Sequence, residues 1–337
     1  MLQRLVTAAA AFALSSFGAA AQQSMAADEQ SAPGLLVMSY NICWDCQSPP
    51  GATAVVGRGL SGKCYVTPEP RVDGQRSTLC AEHMGAAIDG FPALYGAANY
   101  DFVGLQEASN WEILQDWAKG TLGKLEGFGW KDNRNAQIAT FYDPAKYDLV
   151  DTINGDLRWG RPMQISVFRV QADGSHIVFV NLHNCHRRDR CYFDYITERI
   201  GHHVNDHITK TGRTSLRGIF AEARVIMVGD FNEADFPYAD EHGFMPGPIT
   251  FDPLADVDAG QYGPITTQAK LAASPISCCA THIPWKCYGH SSQCRPGDYV
   301  FDSVRAVTSE VPRSYDVNLV QSDHLPVIGV LDPGGTQ

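Results

Sequence analysis

Val225-Ile226-Met227-Val228-Gly229-Asp230-Phe231-Asn232-Glu233-Ala234-Asp235 decides how the rest of the chain is read. Four apolar residues, with β-branched Val and Ile among them, predict a buried strand that Gly229 ends. Asp230 and Asn232 follow at alternate positions, so both can point to one side of the chain. Layered α/β proteins gather chemistry at strand ends. Asp and Asn are also ordinary turn formers after a strand. The stretch therefore gains meaning only from the other strand ends of the chain.

Outward from it, Leu35 to Asn41 reads as a first buried strand ending in an amide. Asp101 to Glu107 is a second, ending in a carboxylate. Ile138 to Tyr142 and Gln164 to Val170 are further strands, and His176 to His183 is another that closes on an imidazole. Tyr299 to Val304 and Pro326 to Leu331 are the last two, preceded by Asp298 and by Ser322-Asp323-His324. A helix is expected from near Ser77 to Ala87. Ser109 and Glu112 form a capping box for a second through Trp111, Leu114 and Trp117. Tyr192, Tyr195, Ile196, Ile200, Val204 and Ile208 recur at helical spacing and predict a helix packed on a sheet. Strands alternating with helices, but separated by long excursions, predict an α/β (α+β) protein of two packed sheets with helices outside.

The 337 residues are 44% hydrophobic and 19% charged, enough for a sizeable core. Residues 1–21 read as a signal peptide: Arg4, the apolar run Leu5 to Leu14, and the small residues Ala19-Ala20-Ala21. Residues 22–34 form a flexible leader, and 35–333 a single domain, expected as a monomer that is secreted or periplasmic and not inserted in a membrane. Ten cysteines, at 43, 46, 64, 80, 185, 191, 278, 279, 287 and 294, fit disulfides in an exported chain. Most of them fall in two irregular insertions, near 43–80 and 237–295. A redox pair at Cys43 and Cys46, or a zinc site among the four from Cys278 to Cys294, stays open as an alternative. Cys185 and Cys191 are close enough to close a small loop. A net charge of −11 disfavours a large basic nucleic-acid interface, but not an enzyme that holds phosphate locally beside a metal ion.

The strand-edge set is Asn41, Glu107, His183, Asp230, Asn232, Asp298, Asp323 and His324. Its hard oxygen donors suit Mg²⁺, Mn²⁺ or Ca²⁺ better than zinc. Two histidines beside several acids suit phosphoryl chemistry, in which a base directs water and imidazolium faces phosphate. There is no Walker loop, no Gly-x-Ser-x-Gly elbow and no His-Glu-x-x-His helix.

Six pieces in order resemble the endonuclease/exonuclease/phosphatase superfamily, the deoxyribonuclease I-like phosphoesterases. They are Ser39-Tyr40-Asn41, Val103-Gly104-Leu105-Gln106-Glu107, Val180-Asn181-Leu182-His183, Gly229-Asp230-Phe231-Asn232, Asp298-Tyr299-Val300-Phe301 and Ser322-Asp323-His324-Leu325-Pro326-Val327. The resemblance implies a four-layer sandwich of two mainly antiparallel β-sheets flanked by helices. It implies Glu107 as principal metal ligand with Asn41 beside it and Asp323 at a further metal position. Asp230 would orient or deprotonate the attacking water, and Asn232 would hold that water or the phosphate. His324 would meet a phosphate oxygen, oriented by Asp298, with His183 as a second phosphate-facing imidazole. The implied reaction is in-line hydrolysis of a phosphoester with Mg²⁺ (or Mn²⁺, with Ca²⁺ a further candidate).

The two cysteine-rich insertions depart from the family pattern. So does the loop His186-Arg187-Arg188-Asp189-Arg190, where Arg187, Arg188 and Arg190 are either a solvated turn or an anion grip. For substrate, nucleic acid is favoured over lipid. Alternatives are a sphingomyelinase-like or other small-molecule phosphoesterase, for which Ile283-Pro284-Trp285 is the lipid-seeking candidate, and a non-catalytic secreted binding protein on the same fold.

Overall fold

The computed structural model describes residues 34–42, 66–70, 76–108, 111–131, 137–185, 193–232, 278–279, 294–295, 298–302, 308–310, 324 and 326–332. The chain opens with β1 (Leu35–Asn41), a hairpin of β2 (Val66–Pro70) and β3 (Arg76–Thr78), α1 (Leu79–Leu94), β4 (Phe102–Gln106) and α2 (Trp111–Trp117). It continues through β5 (Glu126–Lys131), β6 (Gln137–Tyr142), β7 (Tyr147–Asp156), β8 (Pro162–Val170) and β9 (His176–His183). Helices α3 (Phe193–Thr211) and α4 (Leu216–Glu222) precede β10 (Arg224–Asp230). Short strands β11 (Cys278–Cys279) and β12 (Cys294–Arg295) come before β13 (Asp298–Asp302), β14 (Thr308–Glu310) and β15 (Val327–Leu331).

A six-stranded sheet has the order β14-β15-β1-β4-β6-β5, and a five-stranded one the order β13-β10-β9-β8-β7. Each contains one parallel pair, β1 with β4 and β9 with β10, and is otherwise antiparallel. The expected pair of mainly antiparallel sheets is thus present. Helices α1 and α2 cover the outer face of the first sheet through Met84, Ile88, Phe91 and Leu114. Helices α3 and α4 cover the second, where Ile196, Ile200, Val204 and Ile208 form the buried stripe of α3. Each of those four aliphatic side chains contributes roughly 1.5–3 kcal/mol by leaving water. The layers run helix, sheet, sheet, helix.

Strand parity then decides what enters the gap between the sheets. On β9, Val178, Val180 and Leu182 belong to the helix-side core, while Ile177 and Phe179 belong to the core shared with the first sheet. His183 continues the second series. On β10, Ile226 and Val228 share the inter-sheet core and Asp230 follows them at the same parity. From the first sheet Phe102 stacks on Phe179 at 5.1 Å and meets Tyr147 at 4.5 Å and Phe168 at 5.1 Å. The gap is aromatic at this end and becomes polar towards the ends of β1, β4, β9 and β10.

Several boundaries differ from the sequence reading. Helix α1 begins two residues later than expected and runs seven beyond Ala87, so the 43–80 insertion overlaps its first turn. The insertion near 43–80, expected to be irregular, carries strands β2 and β3. Asp298 is the first residue of β13 rather than preceding it, and that strand stops at Asp302. The expected capping residue Ser109, the signal and leader before Gly34, and most of both insertions lie outside the described residues.

Candidate active site

Register places the candidate residues in one row. Asp230 is the Cα partner of His183 on one side and of Asp298 on the other, so three adjacent strands present His183, Asp230 and Asp298 side by side. Across the gap, Asn41 is paired with Gln106 on the parallel strands β1 and β4, and Glu107 follows at once. Asn41 Nδ2 donates to Asp230 Oδ2 at 2.9 Å and to Glu107 Oε1 at 3.4 Å, joining the two sheets. Before β15, His324 sets Nδ1 2.7 Å from Asp298 Oδ2 and Nε2 3.6 Å from Asp230 Oδ2. His183 Nε2 lies 3.5 Å from Asp230 Oδ2 and 3.9 Å from Glu107 Oε1. Asn41, His183, Asp230, Asp298 and His324 are all buried, whereas Glu107 is partly open to solvent.

Burial pushes the Asp230 carboxyl above the ordinary carboxylate range. The charge of His324 pulls it down, Asp298 pushes it further up, and bonds from Asn41 and the Asn232 amide oppose the rise. The result is a carboxylate that holds a proton more readily than an exposed aspartate would. The His324–Asp298 bond fixes which imidazole nitrogen faces Asp298 and leaves Nε2 directed at the row.

Among the described residues only Glu107 (φ 52°) and Asn232 (φ 54°) are non-glycine residues with positive φ. Asparagine visits this region readily, but glutamate does not. Glu107 stands immediately after β4, and Asn232 two residues after the end of β10. Strain of this kind marks functional positions when the surroundings enforce it. At Asn232 the enforcement is visible. Its amide donates to Asp230 Oδ1 at 2.8 Å, and its side chain donates to the Asn184 carbonyl at 2.9 Å.

Arg161 and Asn184 were not singled out from the sequence. Arg161 precedes β8, and its Nη1 lies 2.5 Å from His183 Nε2 and 3.2 Å from Nδ1. Guanidinium only donates, so the ring nitrogen nearest to it serves as acceptor. His183 Nε2 cannot accept from Arg161 and donate to Asp230 at the same time. The sequence signal for Arg161 was slight: it sits outside an edge of apolar alternation, and only the β8–β9 register brings it beside His183. Asn184 ties the two strand ends together, its amide donating to the Asp230 carbonyl at 2.7 Å and its side chain to that of Phe231 at 3.1 Å. Cys185 is disulfide-bonded, while Cys191 lies outside the described residues. Asp323, Arg187, Arg188 and Arg190 lie outside them too.

Among the described residues two groupings offer donors to a cation. Ligand atoms of Asp230, Asp298 and His324 lie within 4.8 Å of one another. In that trio Asp298 and His324 already share a hydrogen bond, so a metal would compete with their proton. Asn41 and Glu107, with Asp230 adjacent, offer carboxylate and amide oxygens of the hard type that Mg²⁺ and Mn²⁺ take, and Glu107 reaches solvent. The donor chemistry fits such an ion.

No family model matches the chain, and no curated relative is found by sequence. The fold is similar to a solved endonuclease/exonuclease/phosphatase from Bacteroides vulgatus, at 16% identity over 88% of this chain and 98% of that one, TM-score 0.48. It is also similar to the human Nocturnin catalytic domain with bound sulfate, at 14% identity over 88% and 93%, TM-score 0.47. A third is a mannosyl-6-phosphatase from Bacteroides thetaiotaomicron, at 17% identity over 88% and 98%, TM-score 0.45. At these identities the likeness is one of fold.

Proposed function

We propose that this chain is a metal-dependent phosphoesterase that hydrolyses its substrate by direct attack of water. The observation that carries the reading is the row His183–Asp230–Asp298, completed by His324 and faced across the gap by Asn41 and Glu107. Asp230, held ionisable but with a raised affinity for a proton, takes the proton from the attacking water. Asn232 and Asn184 lock the turn that presents Asp230 and keep it aligned. His324, oriented by Asp298, directs Nε2 at the phosphoryl oxygens and supplies positive charge or a proton there. Arg161, held beside His183, supplies a second set of donors for the same anion. Glu107 and Asn41 would hold a divalent ion, with Asp323 as a further expected ligand; when bound, that ion neutralises charge developing on the phosphoryl group.

The favoured substrate is nucleic acid. Arg161 beside His183 gives the site a local cation despite the acidic whole, and Arg187, Arg188 and Arg190 follow Cys185 closely in the sequence. Export to a secreted or periplasmic location rests on the signal-like residues 1–21 and the ten cysteines. The deciding experiment is a panel of plasmid DNA, RNA, sphingomyelin vesicles, inositol phosphates and a bis-aryl phosphodiester. Each is assayed with Mg²⁺ and again with EDTA. Salt-sensitive cleavage of DNA or RNA that EDTA abolishes and Mg²⁺ or Mn²⁺ restores is expected. Cleavage of sphingomyelin with nucleic acid untouched would refute the substrate, and full activity in EDTA would refute the reaction class.

A further inference from the structure

One step behind the active row, the gap between the sheets is bridged by two side-chain amides. Gln106 Nε2 crosses from the first sheet to donate to Asn181 Oδ1 of the second at 2.9 Å, and also to the Gly104 carbonyl at 3.1 Å. Ser39 Oγ lies at 3.5 Å from the same nitrogen. Asn181 Nδ2 returns across the gap to the carbonyls of Ala139 at 2.9 Å and Leu105 at 3.2 Å, with Thr140 Oγ1 at 3.4 Å. All four side chains, Ser39, Gln106, Thr140 and Asn181, are fully buried. Here the sheets approach so closely that a Cβ on Gly104 would stand 2.4 Å from Val228 Cγ2 and 3.1 Å from Asn181 Cγ.

We propose that Gln106 and Asn181 are positioning residues whose bonds across the gap form a clasp that sets Glu107 and His183 relative to each other. Gln106 is bonded directly to Glu107 in the chain, and Asn181 sits two residues before His183 on the same face of β9. The clasp therefore joins the strand segments that lead into each of them. A merely space-filling role is a poor account of Gln106. Its Oε1 is buried and has no hydrogen-bond partner among the described residues, a costly state that a methionine of similar length avoids. What methionine lacks is the donor that reaches Asn181. The importance of the two positioned residues to turnover rests on the phosphoesterase reading, but the clasp itself does not.

The test uses Gln106→Met and Asn181→Leu in the full chain, with Ile165→Val as a control that lightens the helix-side core of the second sheet. Hydrogen exchange is followed at the backbone amides of residues 105–108. It should accelerate at least ~10-fold in both clasp variants, even though Asn181 belongs to the other sheet, and stay unchanged in the control. Calorimetric titration with Mn²⁺, without substrate, should show weakening of roughly 10-fold, and kcat/KM on a bis-aryl phosphodiester should fall ~10–100-fold, mainly in kcat. The double variant should be no worse than the poorer single one. Unchanged exchange at 105–108 in Asn181→Leu overturns the clasp. Altered exchange in a protein whose wild type neither binds Mn²⁺ nor cleaves the ester overturns the function and leaves the clasp standing. Altered exchange with kcat/KM within twofold of wild type overturns the positioning role.

Discussion

The backbone at Glu107 offers a way to separate what the site costs from what it does. At φ 52° a residue with a Cβ is disfavoured by roughly 1–2 kcal/mol, and glycine is not. Comparing Glu107→Ala with Glu107→Gly isolates that term, because both remove the side chain and its 3.4 Å bond from Asn41. In an unstrained position glycine is the less stable of such a pair by about 0.5–1 kcal/mol, through the entropy of the unfolded chain. Here the strain relieved is larger than the entropy lost, so the order inverts. Glu107→Gly should be the more stable variant by up to roughly 1 kcal/mol, a rise of ~2 °C in melting temperature for a domain of this size. Paired thermal and urea melts in EDTA measure it, and both variants should be without phosphoesterase activity. If Glu107→Ala proves as stable as Glu107→Gly or more so, the positive φ is not enforced, and the argument from strain to function at Glu107 fails.

Other outcomes follow from neighbouring contacts. Gly104→Ala pushes a methyl into Val228 and Asn181, and urea unfolding should show a loss of roughly 2 kcal/mol; wild-type stability would mean the sheets are free to part there. Arg224 holds Asp302 by two bonds, at 2.9 Å and 2.7 Å, and also donates to the Asp332 carbonyl at 2.8 Å. Arg224→Ala takes two charge-assisted bonds from a carboxylate that is 1% exposed and should cost about 3–5 kcal/mol, with part recovered in the double variant Arg224→Ala, Asp302→Ala. As the proposed base, Asp230 would work only when ionised, and burial raises its affinity for a proton. The acid limb of kcat/KM should therefore lie above the ordinary 3.8, activity falling as pH drops through the raised value, and Asp230→Asn should lose at least ~10² in kcat with an unchanged circular dichroism spectrum.

What the sequence disclosed follows from how each element is buried. β1, β4, β9 and β10 lie in sheet interiors and carry uninterrupted apolar runs, so they were legible, and so were the polar residues at their ends. β7 was missed because it is an edge strand, half exposed, with a bulge between Leu149 and Asp151 that breaks its alternation. β5 was missed because Gly127 and Gly129 interrupt it. Helix α1 outran its expected end at Ala87 although Gly90 and Pro92 lie ahead. Pro92 has no N–H for the Ile88 carbonyl four residues earlier, and the Tyr100 hydroxyl donates to that oxygen instead, at 2.8 Å. No local pattern encodes such a long-range substitute. The pairing of Arg161 with His183 was hidden for the same reason, since it depends on register between β8 and β9.

The gap between the sheets changes character along the strands in an order that bears on catalysis. Phe102, Phe168 and Phe179 fill one end, the amides of Gln106 and Asn181 span the middle, and Asn41, His183, Asp230, Asp298 and His324 occupy the other end. Burial raises the affinity of Asp230 for a proton, and His324, Asn41 and the Asn232 amide hold that rise back. Open water there would return it to an ordinary exposed aspartate, too weak a base to favour proton transfer. Behind it the neutral amides of Gln106 and Asn181 add polarity to the gap without adding a charge. The two neighbours that tune Asp230 most, His324 and Asp298, then act through short distances with little solvent between them. Shortening the amide layer should therefore disturb the geometry around Asp230, which would make the interior of the sandwich a support on which the proposed base depends.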